Sequence, residues 1–133
     1  MSGLKYIHSK GLIHRDIKSD NLMLDNNMNI KIGDLGVSTL FKDKGYFTNF
    51  TELKCKNTYV GTFCYMAPEI KEEKPYNEKI DVYSMGATFY EICYFSTPII
   101  EIPIIGYKNM KPELDKKNVP YTKELLKIIN LML

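Results

Sequence analysis

Residues 80–93 constrain the fold most. Ile80, Val82, Tyr83, Met85, Ala87, Phe89, Tyr90, Ile92 and Cys93 recur so densely that a helix here is apolar on almost every face. Such a helix has no side to give to water, so the rest of the chain must surround it. Asp81 and Glu91 interrupt the run, which is too short to span a bilayer. The expected fold is therefore mainly helical, built on a buried central helix at about 80–93.

The flanking segments fill in that outline. Leu4, Ile7 and His8 share helical spacing, and Gly11 is placed to end that helix. Leu12-Ile13 reads as a short strand. Leu22-Met23-Leu24 and Ile30-Lys31-Ile32 flank Asp25-Asn26-Asn27-Met28-Asn29, which reads as a hairpin turn. Residues 42–57 are polar and irregular, a long surface loop of the kind that carries function. A short helix is expected near 68–73. Pro98 and Pro103 then break the chain, and 106–119 reads as loop. Thr122 is placed to cap a last helix in which Leu125, Leu126, Ile129, Met132 and Leu133 share a face. That helix ends on Leu131-Met132-Leu133 without a glycine or basic cap, which leads to the expectation that the natural domain continues.

Composition narrows the function classes. The 133 residues suffice for one domain with a real core, and 44% hydrophobic with 26% charged residues is a globular balance. A net charge of +2, with no long run of Lys and Arg, argues against a nucleic-acid partner. The ten tyrosines show no spacing that suggests a base-stacking surface. Cys55, Cys64 and Cys93 match no zinc spacing and read as ordinary thiols of a reduced compartment. Residues 1–10 hold no apolar run of signal-peptide length. A cytoplasmic or nuclear protein without a membrane partner is expected.

The chemistry lies in His14-Arg15-Asp16-Ile17-Lys18-Ser19-Asp20-Asn21, followed by Asp34-Leu35-Gly36 and then Ala67-Pro68-Glu69. The first two stretches present an acid, a lysine, an amide and a second acid in the order used for phosphoryl transfer from Mg-ATP. That reaction asks a protein to position the nucleophile, hold the metal and neutralise developing charge. Asp16 would orient the substrate hydroxyl and accept its proton. Lys18 would reach the transferring phosphate. Asn21 and Asp34 would hold magnesium through oxygen, the ligand type a hard cation prefers. The hairpin between them folds these two ligands back beside each other.

With these motifs in this order, the whole chain resembles the C-terminal lobe of eukaryotic Ser/Thr protein kinases. The resemblance implies a catalytic loop at 14–21, a magnesium turn at 34–36 and an activation segment at 34–69. It implies ATP and Mg2+ as cofactors, and a protein bearing Ser or Thr as substrate. Lys18 and Gly61-Thr62 look Ser/Thr-type, and Thr62 would help hold Asp16 and Lys18. Met23 would lie under the adenine ring as well as packing in the core. Asp81 and Gly86 match the buried helix, where Asp81 would accept hydrogen bonds from the catalytic-loop backbone. Thr58 would be the activating phosphosite with Arg15 as its partner, which implies an upstream activating kinase. His14 reads as a packing residue, and Leu35 replaces the usual Phe of the magnesium turn. Residues 17–21 and Pro75-Tyr76-Asn77-Glu78-Lys79 look similar to NIMA-related kinases and to kinases of mitogen-activated cascades.

The sequence also departs from that pattern. No glycine-rich phosphate loop and no strand lysine precede His14, so the fold expected is a kinase-like C-lobe without its N-lobe and final helices. Glu69 pairs in the family with a buried arginine, yet Arg15 is the only arginine here. A half-buried Glu69 without that partner is expected to be costly, on the order of 3–5 kcal/mol if it were fully buried. The chain alone is therefore expected to be marginally folded and not to turn over ATP. The alternative reading is a non-catalytic, kinase-like docking or regulatory module.

Overall fold

The computed structural model describes residues 2–40, 62–72, 74–95, 99–102, 106–109 and 120–133. Helix α1 (Ser2–Ser9) opens the chain and buries Leu4. Gly11 follows at φ 70°, a left-handed conformation that glycine takes without steric cost. Strand β1 (Leu12–Ile13) leads into the polar loop. Strands β2 (Leu22–Leu24) and β3 (Ile30–Ile32) then pair antiparallel, with Met23 opposite Lys31. Asp25 closes their turn, because its Oδ1 accepts from the backbone N–H of Asn27 and of Asn29, each at 2.9 Å. Strand β4 (Thr39–Leu40) returns to pair with β1.

A 3-10 turn (Thr62–Tyr65) and the short helix α2 (Pro68–Lys71) precede the central helix α3 (Lys79–Tyr94). Ile80, Asp81, Ser84, Met85, Gly86, Ala87, Thr88 and Cys93 of α3 are buried, on several faces as the pattern requires. Among the apolar residues of α3, Ile92 near the C-terminal end is the exposed one, at 44%. The buried hydroxyls are satisfied by backbone: Ser84 Oγ donates to the Tyr65 carbonyl and Thr88 Oγ1 to the Ser84 carbonyl, both at 2.8 Å.

Two apolar clusters meet at α3. Ile80 joins Ile13, Ala67, Ile70 and Tyr76 in one, while Met85 joins Leu4 and Ile17 in the other. Ile32, Val82, Phe89 and Met132 pack on the second cluster. Helix α4 (Lys123–Met132) starts where Thr122 Oγ1 accepts from Leu125 N at 3.3 Å, and it buries Leu126 and Ile129.

Gly86 marks where α4 crosses α3. A Cβ there would lie 2.7 Å from Met132 Cβ, an atom fixed to the opposing backbone and unable to swing aside. Gly86→Ala is therefore expected to destabilise the chain by about 1–3 kcal/mol, read from urea unfolding.

The strand content exceeds the expectation of one small hairpin. Among the described residues there are three two-stranded antiparallel pairs, the third formed by β5 (Ile99–Ile102) and β6 (Gly106–Asn109). The loop reading of 106–119 is corrected over 106–109. Between Pro98 and Pro103, Ile99-Ile100-Glu101-Ile102 is rich in β-branched residues suited to a strand, and 106–109 pairs with it. The expected loop at 42–57 lies outside the described residues. No helix among the described residues is long and apolar enough to cross a membrane.

Candidate active site

Asp16, Lys18 and Asn21 converge at the end of β1. Lys18 Nζ lies 3.0 Å from Asp16 Oδ2, and Asn21 Nδ2 donates to the same oxygen at 3.1 Å. Asn21 Nδ2 also donates to the Asp16 carbonyl at 2.7 Å, which locks the amide orientation. With both amide bonds directed at Asp16, Asn21 Oδ1 is left as the acceptor of that side chain. Asp16 Oδ1 is buried and hydrogen-bonds to nothing among the described residues. A shallow cleft opens here, walled by Asp16, Arg15, Ile17, Tyr65, Met66 and Ile70.

The hairpin brings the backbone before Asp34 against Asn21. Gly33 N donates to the Asn21 carbonyl at 2.8 Å, so Asp34 starts one residue from a direct bond to the loop. The Asp34 backbone is left-handed at φ 56°, and its exposed carboxylate accepts from Gly36 N at 3.0 Å. A Cβ on Gly33 would collide with Met23 Cε, so the hairpin methionine lies over the residue before Asp34.

His14 is fully buried, and it does more than pack. Its Nε2 meets the Gly33 carbonyl at 2.8 Å while Nδ1 meets Asp16 N at 3.3 Å. A carbonyl only accepts, so Nε2 carries the proton and Nδ1 accepts. The imidazole is thus a strut between the loop and the turn. Arg15 adds a second tie, with Nε donating to the Val37 carbonyl at 2.7 Å. Arg15 sits at φ 69°, a conformation that costs a non-glycine residue on the order of 1–3 kcal/mol.

Asp81 holds the strained loop from below. Its carboxylate is fully buried; Oδ1 accepts from Arg15 N and Oδ2 from His14 N, both at 2.8 Å. His8 Nε2 reaches Oδ2 at 2.8 Å as well, which links α1 to the same group. Buried charge in an apolar helix is tolerable when hydrogen bonds surround it in this way.

The Thr62–Tyr65 turn closes the other side. Tyr65 OH lies 3.4 Å from Ser19 Oγ. Burial pushes the Tyr65 phenol up to about 12; the Ser19 bond opposes this, and the nearby Glu91 carboxylate adds to it. Glu69 is half-buried, as expected, beside Tyr83. The Tyr83 phenol is raised first by burial and then by the Glu69 charge. Thr62 falls in the 3-10 turn, and only its backbone is described. Thr58 lies outside the described residues.

Met23 departs from a core role, since it is 55% exposed. Leu24, Met28, Ile30, Leu35 and Leu40 are exposed with it, so the hairpin and the turn leave apolar side chains open to solvent.

Lys71 was not singled out by the sequence. It ends α2 with Nζ buried and hydrogen-bonded to nothing among the described residues. Burial lowers this amine to about 8, against the opposing effect of the Cys64 charge. Between that value and the ordinary 10.5 the unfolded chain binds more protons than the folded one, so the penalty is fully present below about 8 and fades as pH rises. Lys71→Met is expected to raise the melting temperature at pH 7, with a smaller gain at pH 10, by differential scanning fluorimetry. His8 and Gly33 had no part in the site read from the sequence, yet both are tied to it. The signals available were the helical spacing of His8 and the place of Gly33 directly before Asp34.

The residues present suit a magnesium ion held mainly by its nucleotide. Among the described residues no three His, Cys, Asp or Glu side chains cluster as a metal cage. One amide oxygen and one exposed carboxylate match the sparse protein ligation that magnesium takes beside phosphates.

Comparison with known proteins bears on the family. A family model described as protein kinase domain matches residues 1–128. The Arabidopsis thaliana serine/threonine/tyrosine-protein kinase HT1 is 36% identical over 94% of this chain and 31% of its own length. The Dictyostelium discoideum serine/threonine-protein kinase fray2 is 38% identical over 86% of this chain and 11% of its own. The Danio rerio serine/threonine-protein kinase Nek8, one of the NIMA-related group, is 35% identical over 98% and 18%. The chain spans less than a third of the length of these relatives. With a domain match over almost all of its length and relatives of this kind, the chain belongs to the eukaryotic Ser/Thr protein kinase family.

Proposed function

We propose that the protein carrying this chain transfers phosphate from ATP to Ser or Thr of protein substrates, and that the chain supplies the C-terminal lobe of the kinase domain. The observation that carries the reading is the Asp16–Lys18–Asn21 cluster with Asp16 Oδ1 buried and unbonded among the described residues. A carboxylate oxygen kept without a partner suits a group that takes up a substrate hydroxyl. Lys18, held at 3.0 Å by Asp16 Oδ2, stands where a phosphate approaching that hydroxyl meets a positive charge.

Asn21 Oδ1 and Asp34 are the proposed magnesium ligands, and the bound ion would neutralise charge on the phosphates. Met23, lying over Gly33, is proposed as the floor beneath the adenine ring. Thr62 is assigned to holding Asp16 and Lys18, and Thr58 to an activating phosphate that pairs with Arg15 and is placed by an upstream kinase. Phosphoryl transfer depends on excluding water, and Met23, Leu24, Ile30 and Leu35 stand exposed around this site. Activity is therefore assigned to the whole protein, with little or none in the isolated chain. The test is magnesium-dependent incorporation of labelled phosphate into a generic Ser/Thr substrate by the full-length protein; none above a no-enzyme control would reject the reading.

A further inference from the structure

Helix α1 reaches the catalytic loop through two side chains one turn apart. Leu4 is buried with Ile17 and Met85, and His8 follows four positions on, so both lie on one face. A helix of eight residues is too short to hold itself, so its place is set by what this face meets. His8 meets Asp81, whose carboxylate is closed to solvent, while the imidazole keeps 18% of its surface exposed. A carboxylate oxygen only accepts, so His8 Nε2 carries the proton. Asp81 Oδ2 thus takes two donors, His8 Nε2 and His14 N, and Oδ1 takes Arg15 N. Of these three donors only His8 is a side chain.

These bonds matter because Arg15 stands at φ 69°, a conformation that persists only where its surroundings enforce it. Arg15 N on Asp81 Oδ1 is such an enforcing contact, and the direction of the next residue, Asp16, follows from that backbone. Lys18 and Asn21 hold the Asp16 side chain, but both belong to the same loop and move with it. A buried oxygen that loses one of two donors is under-bonded at a place water does not reach, so the carboxylate turns to recover a partner. Its remaining bonds go to His14 N and Arg15 N, so that turn is passed to the loop. We propose that His8 is a positioning residue for phosphoryl transfer: through Asp81 it keeps the Arg15 backbone in the conformation that aims Asp16 at the substrate hydroxyl. The role presupposes that this protein transfers phosphate through Asp16. It gives α1 a part in the reaction, although His8 contacts Asp81 rather than Asp16.

The experiment compares His8→Leu, His8→Asn and His8→Gln in the full-length protein. The glutamine amide nitrogen stands as far out as Nε2 of the imidazole and can donate to Asp81, while the asparagine amide is one carbon shorter and falls short of it. Steady-state assays vary ATP against a generic Ser/Thr substrate, and amide exchange read by mass spectrometry follows His14 and Arg15. His8→Leu and His8→Asn are expected to lower kcat about tenfold or more, with the Michaelis constant for ATP within a few-fold, and to speed exchange at His14 and Arg15. His8→Gln is expected to stay within about threefold of the unaltered protein by both measures. Should His8→Leu fail to fold, the comparison of asparagine with glutamine carries the test alone. Unchanged kcat and exchange in folded His8→Asn would overturn the proposal, and so would a His8→Gln protein as impaired as His8→Asn. No transfer by the unaltered protein would overturn the phosphoryl-transfer reading and the catalytic role of His8 with it; the exchange comparison then still tells whether His8 holds the loop.

Discussion

Asp81→Ala lowers the unfolding free energy by about 3–5 kcal/mol, the range for losing one partner from a buried charged network. The carboxylate accepts from His14 N, Arg15 N and His8 Nε2, each at 2.8 Å. Removing it leaves two backbone donors without an acceptor at a place water does not reach, and each such donor costs about 1–3 kcal/mol. It also frees Arg15 from a left-handed backbone that only its surroundings enforce. Domains of this size have about 5–15 kcal/mol in total, so the variant is expected near the edge of folding at 37 °C. Urea unfolding followed by far-UV circular dichroism reads the difference. Asp81→Asn separates charge from hydrogen bonding. It keeps one acceptor oxygen but turns an NH2 toward a donor, so an intermediate loss is expected. A change below about 1 kcal/mol for Asp81→Ala would show that the loop is held by other means.

Asp16→Asn in the full-length protein is expected to lower kcat for phosphoryl transfer by about 10²–10⁴-fold, the range for losing a positioned general base. The fold should tolerate the change. Asp16 Oδ1 has no hydrogen-bond partner among the described residues, and the new side chain can still accept from Asn21 Nδ2 through one oxygen. The Michaelis constant for ATP is expected to stay within a few-fold, because Asp16 acts on the hydroxyl rather than on the nucleotide. Steady-state assays with varied ATP make the distinction. A proportional loss of nucleotide affinity with kcat intact would remove Asp16 from this role.

Much of the fold was legible because its signals are local. Residues 80–93 are apolar around the helix, and only a central position satisfies that pattern. Asp25 and its asparagines specify a turn through side-chain bonds to their own backbone, so the β2–β3 hairpin follows from five residues. The β5–β6 pair was hidden, since prolines near a strand of four residues weigh as much as its isoleucines. Close spacing made Asp16, Lys18 and Asn21 a cluster candidate, because one loop holds all three. The tie from His8 to Asp81 spans 73 residues, and only the folded chain reveals it. Lys71 shows the same limit. A lysine in a short polar helix reads as solvated, and its burial depends on Phe63 folding over it from the preceding turn.

Asp34→Ala tests most directly whether Asn21 and Asp34 act as one site with Asp16 and Lys18. Nucleotide affinity of the full-length protein is measured by calorimetry with and without magnesium, and Asn27→Ala in the β2–β3 turn serves as a control outside the site. Magnesium is expected to tighten ATP binding in the unaltered protein and in Asn27→Ala, and to lose most of that effect in Asp34→Ala. An undiminished magnesium effect in Asp34→Ala would contradict a shared site.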